Sequence, residues 1–433
     1  MKLLKEKIRP FYYLICKGVF SFLILLSDWI WRNIQSEKLF FVKKTWNVLL
    51  SLFRLGVYTI HSSKSYTLEN SECTYRILQN NRVGKSVGLI YELDEKPVIK
   101  EIPLRDLYVA SFKNVEICGG SDCIIDKESG SIISDYSYFC NTNLYENDRV
   151  VIRIQKNRVA LLKVKKNVET QIDRGILLCA PFTNNYYHSI YDALFKLYYI
   201  EKEKIAEECP LLVDDSFRDI AQLNEVLNIL NRSGRQIIWI KRKTWYKVKE
   251  LFYIPSLNQM PLQVKKSDFI CGTDFVYDDF LMAEYTRLLL SHKSGNIYPP
   301  KVYLSRSGFS RRKYNEKELI AIAEKHGFKI VHPECLPFRE QMALFNGAKI
   351  IVGATGAAFT NIMFCQAGAS SICFMGKRYD LPIFTIGSYV SKSDLIYHIG
   401  TNTSLDPAMH DIQSNFYIQP SKFENLIKQM EKE

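Results

Sequence analysis

Short apolar runs that predict buried strands alternate with amphipathic segments that predict helices from residue 175 onward. One series of these segments starts at residues 175–179 and ends near residue 290. A second series starts at Lys301–Leu304, after a break at residues 294–300, and closes as a strand at 371–374. Strands alternating with helices predict parallel sheets with crossover connections. We therefore expect an α/β fold with two Rossmann-type, doubly wound halves and a cleft between the carboxyl ends of their sheets.

The residues before 175 follow a different pattern, in which short strands are separated by hairpin turns such as Gly119–Gly120. The chain accordingly divides into four predicted regions: residues 1–60, a basic, Trp-rich helical segment; residues 61–293, with a β-hairpin-rich lead-in at 66–166 and a Rossmann-like part at 170–290; residues 294–415, a second Rossmann-like unit; and residues 416–433, a C-terminal helix.

The positive charge of the chain is concentrated at its N-terminus. The formal net charge is +12, and residues 1–60 contribute +7 of it, with ten basic and three acidic residues. Three of the five tryptophans also lie there, a composition typical of a helix on an anionic membrane surface. The longest stretch without charge, 18–27, is ten residues, whereas a span needs about 20. Peripheral attachment is therefore predicted, and a single span or a soluble helical hairpin stays open.

Cysteine usage indicates a reducing compartment. The eleven cysteines include no Cys-x-x-Cys pair and no paired framework, and several lie in apolar runs. The absence of closely spaced Cys and His also argues against zinc. We expect the protein on the cytoplasmic side of the membrane, with no metal.

The run 350–361 predicts a buried strand, a turn of small residues and the start of a helix. Gly353, Thr355, Gly356 and Ala357 would let a ligand approach the backbone, and helix N–H groups favour phosphate. Many such turns only pack, so this feature is weak evidence by itself.

A second loop with phosphate-binding potential follows the strand Lys301–Leu304. Arg306, Arg311 and Arg312 could neutralise a diphosphate through bidentate contacts. The alternative is a solvated basic loop.

The segment 183–192 starts the first helix after residue 175. His188 and Asp192 are four residues apart, so they would share one face of an α-helix. A histidine in a cleft that faces a phosphate site fits a general base. Core packing and metal ligation are the alternatives for this pair.

The order of these motifs resembles glycosyltransferase family 61. The matching elements are Asn-Tyr-Tyr-His-x3-Asp at 185–192, Tyr-Leu-Ser-Arg at 303–306, Arg-Arg-x-x-Asn-Glu at 311–316, Gly-Phe-x-x-Val-x-Pro-Glu at 327–334, Glu340-Gln341, and Gly-x-x-Gly-Ala-x-x-Thr-Asn at 353–361. The resemblance covers roughly residues 100–375. Thr355 is a departure, because it takes the place of a histidine common in that family.

The resemblance implies a two-domain GT-B enzyme that inverts the anomeric centre and uses no metal or other cofactor. Its substrates would be a nucleotide-sugar donor and an oligosaccharide or lipid-linked glycan acceptor, in bacterial capsular or O-antigen-type polysaccharide synthesis. Residues 61–293 would then be the acceptor side and residues 294–415 the donor side. His188 and Asp192 would supply the base, and the three arginines with the 353–357 turn would bind the diphosphate. Asn361, Glu334 and Glu340 are candidates for nucleotide or sugar hydroxyls.

Two other classes of function remain as alternatives. A non-catalytic carbohydrate-binding or scaffold subunit of a polysaccharide assembly complex is the first. It is suggested by the departure at Thr355 and by Ser189, which stands where the family usually has an aromatic residue. A nucleic-acid-binding protein is the second, suggested by the pI near 9.0 and by Lys241-Arg242-Lys243, but no nucleic-acid module is recognisable.

Overall fold

The computed structural model describes residues 18–29, 36–93, 95–135, 150–155, 159–165, 168, 170–260, 275–308, 312–377, 382–403 and 414–431. The strands are β1 (Leu55–His61), β2 (Thr74–Gln79), β3 (Val83–Val87), β4 (Ile99–Pro103), β5 (Leu107–Cys118), β6 (Ile124–Asp126), β7 (Ser131–Ile133), β8 (Val151–Gln155), β9 (Val159–Lys163), β10 (Gln171–Leu177), β11 (Leu211–Asp214), β12 (Ile237–Ile240), β13 (Trp245–Tyr253), β14 (Lys301–Leu304), β15 (Lys329–Val331), β16 (Ile350–Ala354), β17 (Ser370–Met375), β18 (Asp394–Ile399), β19 (Thr401–Asn402) and β20 (Phe416–Tyr417).

The α-helices are α1 (18–29), α2 (Ser36–Ser51), α3 (Ser63–Glu69), α4 (Tyr186–His188), α5 (Leu194–Lys202), α6 (Ala221–Leu230), α7 (Asp279–Leu290), α8 (Glu316–Lys325), α9 (Phe338–Gly347), α10 (Thr385–Ser391) and α11 (Pro420–Met430). A π-helical turn at Ser189–Ala193 joins α4 to α5, and 3-10 turns lie at Asp215–Asp219, Pro333–Cys335 and Ala357–Phe364. Mixed α/β structure was expected, and the structure confirms it.

Within the described ranges, the larger sheet has eleven strands. Its parallel part runs in the order β12-β11-β10-β13, and antiparallel pairing of β13 with β5 extends it through the N-terminal hairpins to β8. The hairpin-rich lead-in and the Rossmann-like part, which the sequence suggested as successive regions, are therefore one continuous sheet. The long strand β5 makes this possible, because it pairs with β13 along residues 110–118 and also pairs with β2 at 107–111 and with β6 at 116–117.

The smaller sheet is entirely parallel, with the order β15-β14-β16-β17-β18. Numbered by their order in the chain, the five strands are arranged 2-1-3-4-5. The second strand, β15, therefore lies on one side of β14, and the later strands β16, β17 and β18 lie on the other side. The point where the direction reverses lies between β14 and β16, and ligands of open α/β sheets bind beyond the carboxyl ends of the strands at such a point.

One apolar cluster contacts both sheets and the helices between them. It includes Ile176 and Leu211 of the larger sheet, Val302 and Ile351 of the smaller sheet, and Phe195 of α5, all essentially inaccessible to water. Continuous apolar burial is the dominant favourable term in folding, so this cluster fixes how the two sheets face each other.

The hairpin β3–β4 also links the two parts of the chain. Lys85 pairs with Tyr277, while Ile90 pairs with Ile396 and Thr385 Oγ1 donates a 2.7 Å hydrogen bond to the carbonyl of Val87. Residues in the predicted N-terminal unit therefore contact the sheet assigned to the C-terminal unit.

The helical elements differ locally from the sequence-based expectation. The sequence pattern predicts an amphipathic helix at 216–230 and a capping box of Asn315 with Glu318. The structure has a 3-10 turn at Asp215–Asp219 before α6. The capping box does not form; the Asn315 side chain instead hydrogen-bonds both the backbone of Ile418 and the Glu318 carboxylate. Contacts with the distant segment that precedes α11 compete with the local cap, which explains the difference.

The two N-terminal helices lie against the larger sheet. Ile24 of α1 and Leu50 of α2 join Val57, Val159 and Leu161 in a small buried cluster. Within the described residues, no helix is both long enough and apolar enough to cross a bilayer.

Candidate functional site

A cavity of about 540 Å³ opens at the strand-order reversal of the smaller sheet. Its walls come from the loops after β14, β15 and β16 and from the beginnings of α4 and α6 on the other side. The lining residues are Asn185, Tyr186, Ile220, Gln222, Leu304, Ser305, Arg306, Arg312, Pro333, Glu334, Gln341, Ala354, Gly356, Ala357 and Ala358. Both parts of the chain therefore contribute to one concave site, as binding sites between domains commonly require.

Two arginines converge on one carbonyl at the floor of this cavity. Arg306 donates from Nη1 to the backbone oxygen of Thr355 at 2.8 Å, and Arg312 does so at 3.1 Å. Burial lowers the pKa of Arg306. An anion in the cavity would compensate this desolvation, because charge-assisted bonds to guanidinium are strong where water is excluded.

Gly356 leaves the space that the Arg306 guanidinium occupies. A Cβ atom at Gly356 would collide with the Nη1 atom of Arg306, and one at Gly353 would lie 3.0 Å from the Cβ of Leu304. The turn of small residues thus keeps the guanidinium next to the backbone of 355–357.

The segment after this turn is a 3-10 helix, Ala357–Phe364, rather than the expected α-helix. Its first N–H groups still lack acceptors within the helix, and Ala357 and Ala358 line the cavity. The turn predicted to bind phosphate therefore opens onto the cavity and leads into a tighter helical turn.

Asn361 bridges the two parts of the chain instead of lining the cavity. It is fully buried, its Oδ1 accepts a 2.7 Å hydrogen bond from the Tyr186 hydroxyl, and its Nδ2 donates to Gln341 at 2.6 Å. Gln341 in turn donates to the carbonyl of Pro333 at 2.7 Å. This chain of hydrogen bonds connects α4 to the loop after β15.

A second bridge lies on the rim. Gln222 of α6 donates from Nε2 to the carbonyl oxygens of Glu334 and Leu336 at 3.0 and 2.8 Å. The loop that carries Glu334 is therefore held from the opposite side of the cavity.

The two acidic candidates occupy different places. The Glu334 carboxylate is exposed and lines the cavity. Glu340 lies elsewhere, accepting hydrogen bonds from Tyr298 at 2.6 Å and Asn296 at 2.7 Å, and these bonds lower its pKa. The structure thus places Glu340 at the connection between the two sheets.

His188 lies in α4, one turn behind the cavity wall formed by Asn185 and Tyr186. Its ring stacks on Phe182 with centroids 4.9 Å apart, and its buried Nδ1 has no hydrogen-bond partner in the described part of the chain. Burial lowers the pKa of His188 to about 4, while the charge of Asp192 acts in the opposite direction. The imidazole is consequently neutral at pH 7 and able to accept a proton.

Asp192 follows in the π-helical turn and is 4% exposed. The sequence predicted an uninterrupted α-helix here; instead, the Leu194 N–H reaches back five residues to Ser189. Such π-turns often occur at functional sites. Neither His188 nor Asp192 lines the cavity directly, although both belong to the same short helical segment as Tyr186.

The turn before His188 is fixed by a buried ion pair. Arg242 donates to Asp214 at 2.6 Å and to the carbonyl of Pro181 at 2.8 Å, and Thr183 donates to Asp214 at 2.6 Å. Asp214 is completely buried, which makes the pair expensive to break. This pair holds the turn from which the histidine emerges.

The structure brings together most of the predicted donor-site residues. Arg306, Arg312, Glu334, Gly356 and Ala357 line the cavity, Gly353 and Thr355 support its floor, and Arg311 lies outside the described residues. The sequence did not single out Gln222, and it used Asn185, Tyr186, Ser305 and Gln341 only as parts of motifs. Their positions could have identified two of them, because Ser305 directly follows β14 and Asn185 caps α4 with a side-chain hydrogen bond.

Metal ligands and disulfides are not found in the described residues. No group of three or more His, Cys, Asp or Glu side chains there could hold a metal ion, and the eight described cysteines are free thiols.

One known protein family matches the part of the chain that forms most of the cavity. The family model described as Glycosyltransferase 61 matches residues 186–372. The matched segment starts in α4 and ends in β17, so it includes both walls of the cavity. The match confirms the family resemblance, over a shorter range than the motifs suggested, and indicates glycosyltransferase activity. No curated protein sequence matches the chain.

Proposed function

We propose, on the premise that residues 186–372 belong to glycosyltransferase family 61, that this protein transfers a hexosyl or pentosyl unit from a nucleotide sugar to a glycan acceptor with inversion. The observation that carries the proposal is the cavity between β14 and β16, in which two arginines and a turn of small residues face α4. The chain would form a GT-B-type enzyme, with residues 294–415 as its donor side and 61–293 as its acceptor side.

The donor diphosphate would lie against Arg306 and Arg312. Breaking the glycosidic bond leaves negative charge on the diphosphate, and preorganised cations and N–H groups stabilise such charge best where water is excluded. Arg306, Arg312 and the amides of Ala357 and Ala358 supply these groups at the cavity floor. Their charge supports transfer without a metal ion.

The nucleoside would extend toward Glu334. This carboxylate follows β15, the second strand of the smaller sheet in chain order, and acidic residues at that position commonly accept hydrogen bonds from ribose hydroxyls. The bridge from Gln222 to the Glu334 carbonyl keeps the loop in place.

His188 would deprotonate the attacking acceptor hydroxyl, and Asp192 would stabilise the imidazolium that forms. The neutral imidazole with its unpaired Nδ1 supports His188 as the base. The hydroxyl oxygen then forms the new bond to the anomeric carbon as the bond to the diphosphate oxygen breaks. The proton stays on His188 until it is released to solvent.

We further propose that the acceptor is an oligosaccharide or lipid-linked glycan of a bacterial capsular or O-antigen-type polysaccharide. The enzyme would work on the cytoplasmic side, attached through residues 1–60 to an anionic membrane, without contact to nucleic acid. The eight free thiols and the excess of basic residues in that segment support this location.

Thermal unfolding in the presence of UDP, GDP, CDP, ADP and dTDP tests the donor site. One nucleotide should raise the unfolding temperature of the wild type by mass action and have a smaller effect on Arg312→Ala. Release of that nucleotide from its sugar, with membrane extract as acceptor and with EDTA present, tests transfer. Nucleotide binding without turnover under all acceptors would instead support the non-catalytic carbohydrate-binding or scaffold subunit.

A further inference from the structure

Helix α1 exposes an apolar stripe where a surface helix normally carries polar residues. Val19, Phe22, Leu25 and Trp29 recur at intervals of three or four residues and are 50%, 64%, 51% and 57% exposed. These intervals place the four side chains along one side of the helix. The side that faces water in this structure is therefore the apolar one.

The end of α2 and the turn after it repeat this arrangement. Val48, Leu49, Leu52 and Phe53 are 61%, 52%, 71% and 75% exposed. Exposed apolar residues scattered singly are ordinary, whereas eight on two adjacent elements mark an interaction surface.

The opposite sides of both helices pack against the rest of the protein. Ile24 and Leu50 are buried against Val57 of β1. Trp46 donates from Nε1 to Ser27 Oγ at 2.9 Å, and Asn47 exchanges hydrogen bonds of 2.7 and 2.8 Å with the backbone of Val57. Rotating either helix to bury its exposed stripe would break these contacts. The exposed side chains of Phe22, Leu25, Leu52 and Phe53 are therefore available to a surface outside the described chain.

The charge of the N-terminal segment, taken from its sequence, identifies the partner. Residues 1–60 carry ten basic and three acidic residues, and three tryptophans lie among them. Basic residues are attracted to anionic headgroups, while tryptophan and phenylalanine favour the boundary between headgroups and acyl chains. A protein interface would not need this excess of positive charge, whereas an anionic lipid surface matches both properties.

We propose that α1 and α2 form a preformed docking surface for an anionic bilayer, with Phe22, Leu25, Trp29, Leu52 and Phe53 entering the acyl boundary. The proposal rests on the proposed function for its location and extends that membrane contact to defined side chains. Because both helices are fixed to the larger sheet, docking would hold the whole molecule in one orientation on the membrane.

Flotation of the full chain with lipid vesicles tests this surface. The vesicles are phosphatidylcholine alone or phosphatidylcholine mixed with phosphatidylglycerol. The variants are Phe22→Ser/Leu25→Ser and Leu52→Ser/Phe53→Ser. Phe280→Ser and Ile297→Ser serve as matched controls, since those side chains are 69% and 97% exposed outside the N-terminal helices.

Wild type and both controls should bind the anionic vesicles preferentially, and each double variant should bind roughly tenfold more weakly. Undiminished flotation of both double variants would overturn the proposal. So would a wild-type dimer that becomes monomeric in these variants while vesicle binding persists, because a second copy would then cover the stripes.

Nucleotide-dependent thermal stabilisation, measured on the same samples, separates this proposal from the proposed function. Double variants that keep the stabilisation are folded, so their loss of flotation reports on the surface alone. Failure of every nucleotide to stabilise the wild type would count against the donor site and leave the flotation result unaffected.

Discussion

The hydroxyl of Tyr186 donates a 2.7 Å hydrogen bond to Oδ1 of the fully buried Asn361. These residues are 175 positions apart, and their bond joins the first helix of one wall of the cavity to the 3-10 helix of the other. The remaining amide hydrogen bond of Asn361 goes to Gln341, so the Asn361 side chain is fixed from both sides.

Tyr186→Phe should lower the stability of the protein. The substitution leaves Oδ1 of Asn361 buried without this donor, and an unsatisfied buried polar group costs about 1–3 kcal/mol. Denaturant unfolding measures the loss. Tyr198→Phe is the matched control, because its hydroxyl bonds the partly exposed Glu284 at 3.2 Å and should matter less. Equal losses of unfolding free energy in the two variants would contradict a larger contribution from the buried hydrogen bond between Tyr186 and Asn361.

Arg306→Lys and Arg312→Lys should weaken nucleoside diphosphate binding roughly tenfold to a hundredfold. Lysine keeps the charge but cannot reproduce the planar fork that reaches both the Thr355 carbonyl and a phosphate. Isothermal titration with the stabilising nucleotide measures the change. Arg287→Ala, on the exposed side of α7, should bind like the wild type. Wild-type affinity in both lysine variants would refute the assignment of the diphosphate site.

Gly356→Ala should impair nucleoside diphosphate binding, whereas the same substitution at a glycine away from the cavity should not. The added methyl group would displace Arg306 from the Thr355 carbonyl, because Nη1 occupies that space. Gly295→Ala is the matched control, since no atom lies within 4 Å of the added Cβ. The comparison uses nucleotide-dependent thermal stabilisation, which should shrink only in the Gly356 variant.

The pH profile of kcat/KM should report on His188. Its pKa is lowered to about 4 by burial, so the neutral base predominates near pH 7, and activity should fall only as the pH approaches 4. Asp192→Asn removes a charge that raises this pKa, so the inflection should move to lower pH. His188→Ala should abolish most turnover at every pH. Full turnover in this variant would exclude the histidine as base.

His398 should make the fold sensitive to acid. Burial lowers its pKa to about 4, from 6.5 in the unfolded chain, so the unfolded state takes up a proton first as the pH falls. The stabilising contribution is present above pH 6.5 and is lost as the pH drops toward 4, by about 2 kcal/mol at pH 5. His398→Asn should therefore lose less unfolding free energy than the wild type between pH 8 and pH 5. An identical loss of unfolding free energy in both proteins would contradict the lowered pKa of His398.

The parallel strands around the cavity could be predicted because each is a short, continuous apolar run. Strands predicted from the sequence at Lys301–Leu304 and Lys329–Val331 have those bounds in the structure. The strand predicted at 350–353 is one residue longer and includes Ala354, the first residue of the predicted turn 354–357. The helices were less predictable. The π-turn after His188 contains Tyr191, whose hydroxyl donates to the distant Thr360 carbonyl, and no local pattern encodes that contact.

The alternation of strands and helices and the family-related motifs at the strand ends are readable from the amino-acid sequence, because hydrophobic periodicity and turn chemistry are local properties. Three arrangements are visible only in the folded molecule: Arg306 and Arg312 meet at Thr355, Asn361 bonds Tyr186 instead of facing the cavity, and α1 turns its apolar side outward. These arrangements depend on which surfaces two sheets bury against each other, and burial is settled by contacts between residues far apart in the chain.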